Sequence, residues 1–165
     1  MSSNLNNRIS HAPGFSNCHI QVHFCNLQAI VCSAIKEADE VVGCVAWLKS
    51  RPIVNELLST PCTMIVTSDR VHRSNRALLN RLPPRENKRP VSIVGTARGR
   101  YRPLMHNKFL VLMRDREPYA VLTGSYNYTA HSDLNMENIL RVNDASVAQA
   151  YYNEAMEIYS VSRAL

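Results

Sequence analysis

A chain of 165 residues with 45% hydrophobic content has the length for one domain with a real core, and leaves no room for a second large one. No apolar run reaches the ~18 residues of a membrane span, and no apolar core with a small-residue cleavage site opens the chain as a secretory signal would. The formal charge of +6 is unevenly spread: residues 70–116 hold thirteen Lys or Arg against two acids, Glu86 and Asp115, so the remainder is acidic. A basic field of that kind attracts polyanions, either nucleic acid or an anionic membrane surface.

Residues 1–17, polar with a Pro-Gly, read as a flexible N-terminal arm, and residues 18–165 as a single domain. "HIQVHF" alternates as a strand. "NLQAIVCSAIKEADE" is a helix, because Leu27, Ile30, Val31, Ala34 and Ile35 recur at helical spacing. "VVGCVAWL" follows as a buried strand, "RPIVNELLS" as a short helix with proline in its first turn, and "CTMIVTS" as the next strand. "DRVHRSNRALLNRL" predicts a helix capped by Asp69 and stopped before Pro83-Pro84, and "PPRENKRP" an exposed loop. "VSIVG", "RPLMHNKFLVLM" and "PYAVLTG" are three further strands. "MENILRV" follows a polar loop, and the segment from Asp144 to Leu165 predicts a closing amphipathic helix capped by Asp144. Alternating strands and helices predict an α/β layered fold with a mixed sheet.

The five cysteines, Cys18, Cys25, Cys32, Cys44 and Cys62, are odd in number and mostly set among apolar residues, which points to a reducing, cytoplasmic setting. "CHIQVHFC" invites a metal assignment. As a strand, however, it sends Cys18 to one face and His19, His23 and Cys25 to the other, so no metal site is assigned.

The informative stretch is "MHNKFLVLMRDREPYAVLTGSYNYT". On a strand His106 and Lys108 share one face, and the apolar run from Phe109 to Met113 anchors them to the core. A second apolar strand delivers Gly124-Ser125-Tyr126-Asn127. Lysine, asparagine and serine offer charged and neutral donors to a phosphoryl group, and histidine is a nucleophile or proton carrier.

His-x-Lys, an apolar run, then Gly-Ser-x-Asn resembles the HKD motif of the phospholipase D superfamily, one copy per chain. "NMENIL" falls where small single-motif nucleases of that superfamily carry a Glu-Asn pair, and Glu137 matches the glutamate that bonds the catalytic histidine. The resemblance covers about residues 19–162. It departs at the motif's aspartate, where this chain has Met113; the nearest acid, Asp115, belongs to the turn "RDREP".

The resemblance implies phosphodiester hydrolysis through a covalent phosphohistidine at His106, with no metal or other cofactor. Lys108, Ser125 and Asn127 would hold phosphate oxygens, and Glu137 would orient His106. A second histidine is needed to protonate the leaving oxygen. His11, His19, His23, His72 and His131 have no matching lysine and turn, so a homodimer would place two copies of His106 face to face. Charge selects the substrate. Arg98, Arg100 and Arg102 run into the site with Tyr101 able to stack on a base, and Arg70 and Arg73 add a second basic surface, so the expected partner is DNA or RNA. With no apolar docking segment, stable membrane association is not expected. A cardiolipin-type phosphodiesterase and a disabled nucleic-acid binder are the alternatives. Trp47 is read as core packing, with substrate contact the second option. Tyr151, Tyr152, Met156 and Tyr159 read as core or dimer contacts.

Overall fold

The computed structural model describes residues 4–69, 72, 75–95 and 103–165. Its strands are β1 (Phe15–Ser16), β2 (Ile20–His23), β3 (Glu40–Val45), β4 (Cys62–Thr67), β5 (Val91–Val94), β6 (Lys108–Arg114), β7 (Glu117–Gly124), β8 (Ile139–Val142) and β9 (Arg163–Ala164). Among the described residues they form one sheet in the order β1-β2-β8-β7-β6-β3-β4-β5-β9. The pairings β3–β4 and β4–β5 are parallel and the others antiparallel, so the sheet is mixed. The helices are α1 (Leu27–Glu37), α2 (Arg51–Leu57), α3 (Arg76–Leu79) and α4 (Ala145–Ser160).

Continuous apolar runs in β3 and β6 are explained by burial on both faces. Val41, Val45, Leu110 and Leu112 point toward α1 and α2, where Val31, Ile35, Ile53 and Leu57 close one core layer. Val42, Cys44, Phe109, Val111 and Met113 point the other way, under Ala148 and Ala155 of α4. Each fully buried side chain of this size is worth about 1.5–3 kcal/mol of transfer free energy, so the two layers together hold the central strands rigid. The layered α/β arrangement matches the sequence expectation. All five cysteines are free, and burial pushes the Cys44 and Cys62 thiols up to about 12.

Local details differ from expectation in several places. The strand expected to include His106 begins only at Lys108. The closing helix stops at Ser160, and Arg163–Ala164 instead adds an antiparallel strand beside β5. The loop "PPRENKRP" is not wholly exposed: Arg85 is buried, ion-paired to Glu40 and bonded to Tyr152 Oη at 3.2 Å. Within the N-terminal segment, Leu5–Arg8 forms a 3-10 turn, Asn6 donates to the carbonyls of Asp133 and Asn135, and Phe15–Ser16 pairs with β2.

Candidate active site

Four central strands end on one side of the sheet and bring the candidate residues together. Val45, last in β3, pairs with Lys108, first in β6; Gly124, last in β7, pairs with Ile139, first in β8. His106 lies just ahead of β6 with its side chain exposed, while Met105 and Phe109 on either side are buried and fix the segment. Asn107 holds the backbone there, its carbonyl accepting from Ala46 N–H at 2.9 Å.

The expected convergence of His106 and Lys108 is present although His106 is outside the strand. Lys108 Nζ lies 3.2 Å from Nδ1 and 3.3 Å from Nε2 of the imidazole, and donates to the His106 carbonyl at 2.8 Å. Partial burial and then the neighbouring ammonium hold the imidazole's proton affinity below its ordinary value, favouring the neutral ring. Lys108 is itself lowered by desolvation, against which the Glu137 carboxylate pulls upward.

Glu137 stands on the approach to β8. Its carboxylate accepts from the Ser125 hydroxyl and, at 3.3 Å, from Asn135 Nδ2. It therefore acts on the site through Ser125 and through charge on Lys108, whereas the sequence reading expected it to bond His106. Ser125 is fixed twice more, its N–H donating to the Asn138 carbonyl at 3.2 Å and its Oγ accepting from Asn138 N–H at 3.1 Å. Glycine is required beside it: a Cβ on Gly124 would stand 2.2 Å from the Asn138 carbonyl oxygen. Gly124→Ala must part β7 from β8 and is expected to cost about 1–3 kcal/mol, read as a lower denaturant midpoint at unchanged slope.

Asn127 is half-buried, and its Oδ1 has no hydrogen-bond partner among the described residues. The turn that carries it is anchored by the buried Tyr126, whose hydroxyl donates to Asp133 Oδ1 at 2.5 Å, and by Tyr128, whose carbonyl accepts from Lys49 and Ser50 N–H, both at 2.7 Å. Asn127 lines a cleft of about 440 Å³ with Trp47, Lys49, Thr129, His131 and Asn135.

Trp47 belongs to this site. It is half-buried, its ring centroid is 5.4 Å from that of His106, and the two planes meet at 83°. The sequence signal was its place just past β3, at the end of the sheet where the motif residues gather. Of the other histidines, His72 is buried and neutral in role, accepting from Leu48 N–H on Nε2 with Nδ1 2.9 Å from the Thr67 carbonyl. The expected nucleic-acid contacts Arg70, Arg73, Arg98, Arg100, Tyr101 and Arg102 lie outside the described residues.

A family model described as "Cardiolipin synthase, PLD-like domain" matches residues 16–159. The chain belongs to the phospholipase D superfamily. Its fold is similar to that of NucT from Helicobacter pylori, with a TM-score of 0.70 at 14% identity over 88% of this chain and 98% of that one. It is also similar to Nuc from Salmonella typhimurium, a phospholipase D family member, with a TM-score of 0.66 at 18% identity over 87% of this chain and 95% of that one. An uncharacterised protein of Acanthamoeba polyphaga mimivirus is 24% identical over 204 residues, 98% of this chain and 70% of the relative. As a phosphodiesterase of the phospholipase D superfamily, the chain has His106, Lys108, Ser125 and Glu137 gathered where four strands end. The superfamily's aspartate position is taken by Met113, which is fully buried in the layer under α4. Asp115 is in the β6–β7 turn, with φ of 50°, and its N–H is held by Asp39 Oδ2 at 3.1 Å.

Proposed function

We propose that the chain is a nuclease that hydrolyses nucleic-acid phosphodiester bonds without a metal, through a phosphohistidine on His106, in a site shared across a homodimer. The observation that carries this reading is the exposed imidazole, held toward its neutral form with the Lys108 ammonium against it. Neutral imidazole is a nucleophile, and an ammonium at that distance can take up a phosphate oxygen. His106 attacks phosphorus, the P–N bond forms and the P–O bond to the leaving alkoxide breaks. His106 of the partner subunit gives that oxygen its proton. Water then attacks phosphorus, the new P–O bond forming as the P–N bond to His106 breaks, its proton passes to the partner's His106, and the resting pair is restored. Lys108, Ser125 and Asn127 stabilise the phosphate oxygens, and Glu137 sets Ser125 and offsets charge on Lys108.

The charge distribution supports a nucleic-acid substrate, since the excess of Lys and Arg in residues 70–116 runs into the start of the motif. NucT and Nuc are each almost wholly covered by this chain, so each has a single copy of the fold, as this chain does. The test is cleavage of labelled single-stranded DNA, duplex DNA and RNA in excess EDTA. If both histidines are needed, freely exchanging mixtures of parent and His106→Ala protein lose activity as the square of the parent fraction, to about one quarter at equal amounts. A linear fall would rule out the shared site.

Two exposed apolar residues favour a second reading, a phospholipid phosphodiesterase. Leu104 and Met136 are 44% and 47% exposed, close in sequence to His106 and Glu137. No helix among the described residues is long and apolar enough to cross a membrane. Conversion of cardiolipin in vesicles to phosphatidic acid and phosphatidylglycerol, with no cut in any nucleic acid, would select this reading.

The charge arrangement also fixes a pH response. Titration of His106 followed by NMR should give a midpoint below the ordinary histidine value, set first by burial and second by Lys108. Lys108→Met removes the like charge, so the midpoint rises; it stops short of the ordinary value because the desolvation remains. A midpoint unchanged by that substitution would show that the ammonium does not act on the imidazole.

A further inference from the structure

We infer that the cleft beside His106 is a base-stacking subsite for single-stranded nucleic acid, with the Trp47 indole as its platform. The inference rests on the nuclease reading above and adds to it a residue that selects the form of the polymer. The indole meets the His106 ring at 83°, so the imidazole covers at most one of its two faces. It is half-buried and lines the 440 Å³ cleft with Lys49, Asn127 and His131. It is also held in place: Nε1 donates to Asp69 Oδ2 at 3.4 Å, and the adjoining backbone is tied by the two bonds from Lys49 and Ser50 to Tyr128. A preset aromatic ring loses little freedom when a ligand stacks on it.

The spacing suits a nucleotide. A phosphate held at His106 and Lys108 carries its base one sugar away, and the indole centroid is 5.4 Å from the imidazole. Exposed Lys49 is next in the chain to Leu48, on the cleft wall, where it can meet the neighbouring phosphate. Bases in a duplex already stack on each other, so only an unpaired base can offer its face to the indole. A residue present for packing alone would need no place on the cleft wall.

Trp47 is the sole tryptophan, which makes the test direct. His106→Asn protein, unable to turn over, is titrated with labelled single-stranded DNA, single-stranded RNA, duplex DNA and an equal-length strand with abasic sites. Anisotropy reads binding, and indole emission reads stacking. The expected result is binding of both base-containing and abasic strands, with quenching by unpaired bases only. Trp47→Leu in the active protein then raises KM for single strands about tenfold, removes the preference over the abasic strand, and is largely rescued by Trp47→Phe. Equal quenching by abasic strand, or an unchanged preference in Trp47→Leu, overturns the subsite and leaves the nuclease reading standing. Failure of every strand to bind or be cut by the parent protein overturns the nuclease reading and the subsite with it.

Discussion

His106→Ala should abolish EDTA-resistant phosphodiester cleavage, with kcat/KM falling on the order of 10⁴-fold or more, while the protein stays folded. The two halves of this result come from different parts of the structure. The imidazole is exposed and adds nothing to either core layer, so its loss should change stability by less than about 0.5 kcal/mol. Met105 and Phe109 remain buried and keep the segment in place. The chemical loss is large because, among the described residues, the imidazole set against Lys108 Nζ is that of His106, and the nearby Ser125 hydroxyl is already committed to Glu137. His131→Ala, on the wall of the cleft, tests the alternative nucleophile. Full activity in His106→Ala with loss in His131→Ala would move the nucleophile to His131 and end the present assignment.

Met113→Asp, which restores the residue type usual in the superfamily at that position, should destabilise the protein by about 3 kcal/mol or more. Met113 is fully buried in a layer made by Val42, Cys44, Ile65, Val111 and Val121 with Ala148 and Ala155. A carboxyl there has no cationic partner in that layer. It would be held neutral by desolvation, or would open the packing under α4 to reach water. Against a total stability of about 5–15 kcal/mol the loss is easily read in a denaturant titration. A variant as stable as the parent would show that the site has a hidden polar partner for the carboxyl, and that Met113 is no structural replacement.

Much of this molecule is legible in the sequence because the informative patterns are local. β3 and β6 are continuous apolar runs, as strands buried on two faces must be, and α1 shows its stripe from Leu27 to Ile35. His106, Lys108, Ser125 and Glu137 lie close to strand ends that such patterns locate. What escapes the reading is set by distant partners. Arg85 stands in a polar, proline-flanked run, and only Glu40 and Tyr152, remote in sequence, account for its burial. Arg163–Ala164 is a strand because β5 has an edge to be paired, not because of its own two residues. Trp47 ends an apolar run and so reads as core, until the ends of β3 and β6 are brought level and its ring meets His106. Asn135 shows the same limit: its amide contact with Glu137 depends on a loop geometry that residue order does not encode.

The position of the Lys108 ammonium has one more consequence. In the resting protein the group that would grip the substrate is parked on the group that would attack it, within 3.3 Å of both ring nitrogens. A phosphodiester arriving at the exposed imidazole meets the ammonium at the same point, so one cation serves both to receive the phosphate and to tune the ring beside it. A neutral phosphotriester of the same shape would gain far less from that cation and should bind more weakly.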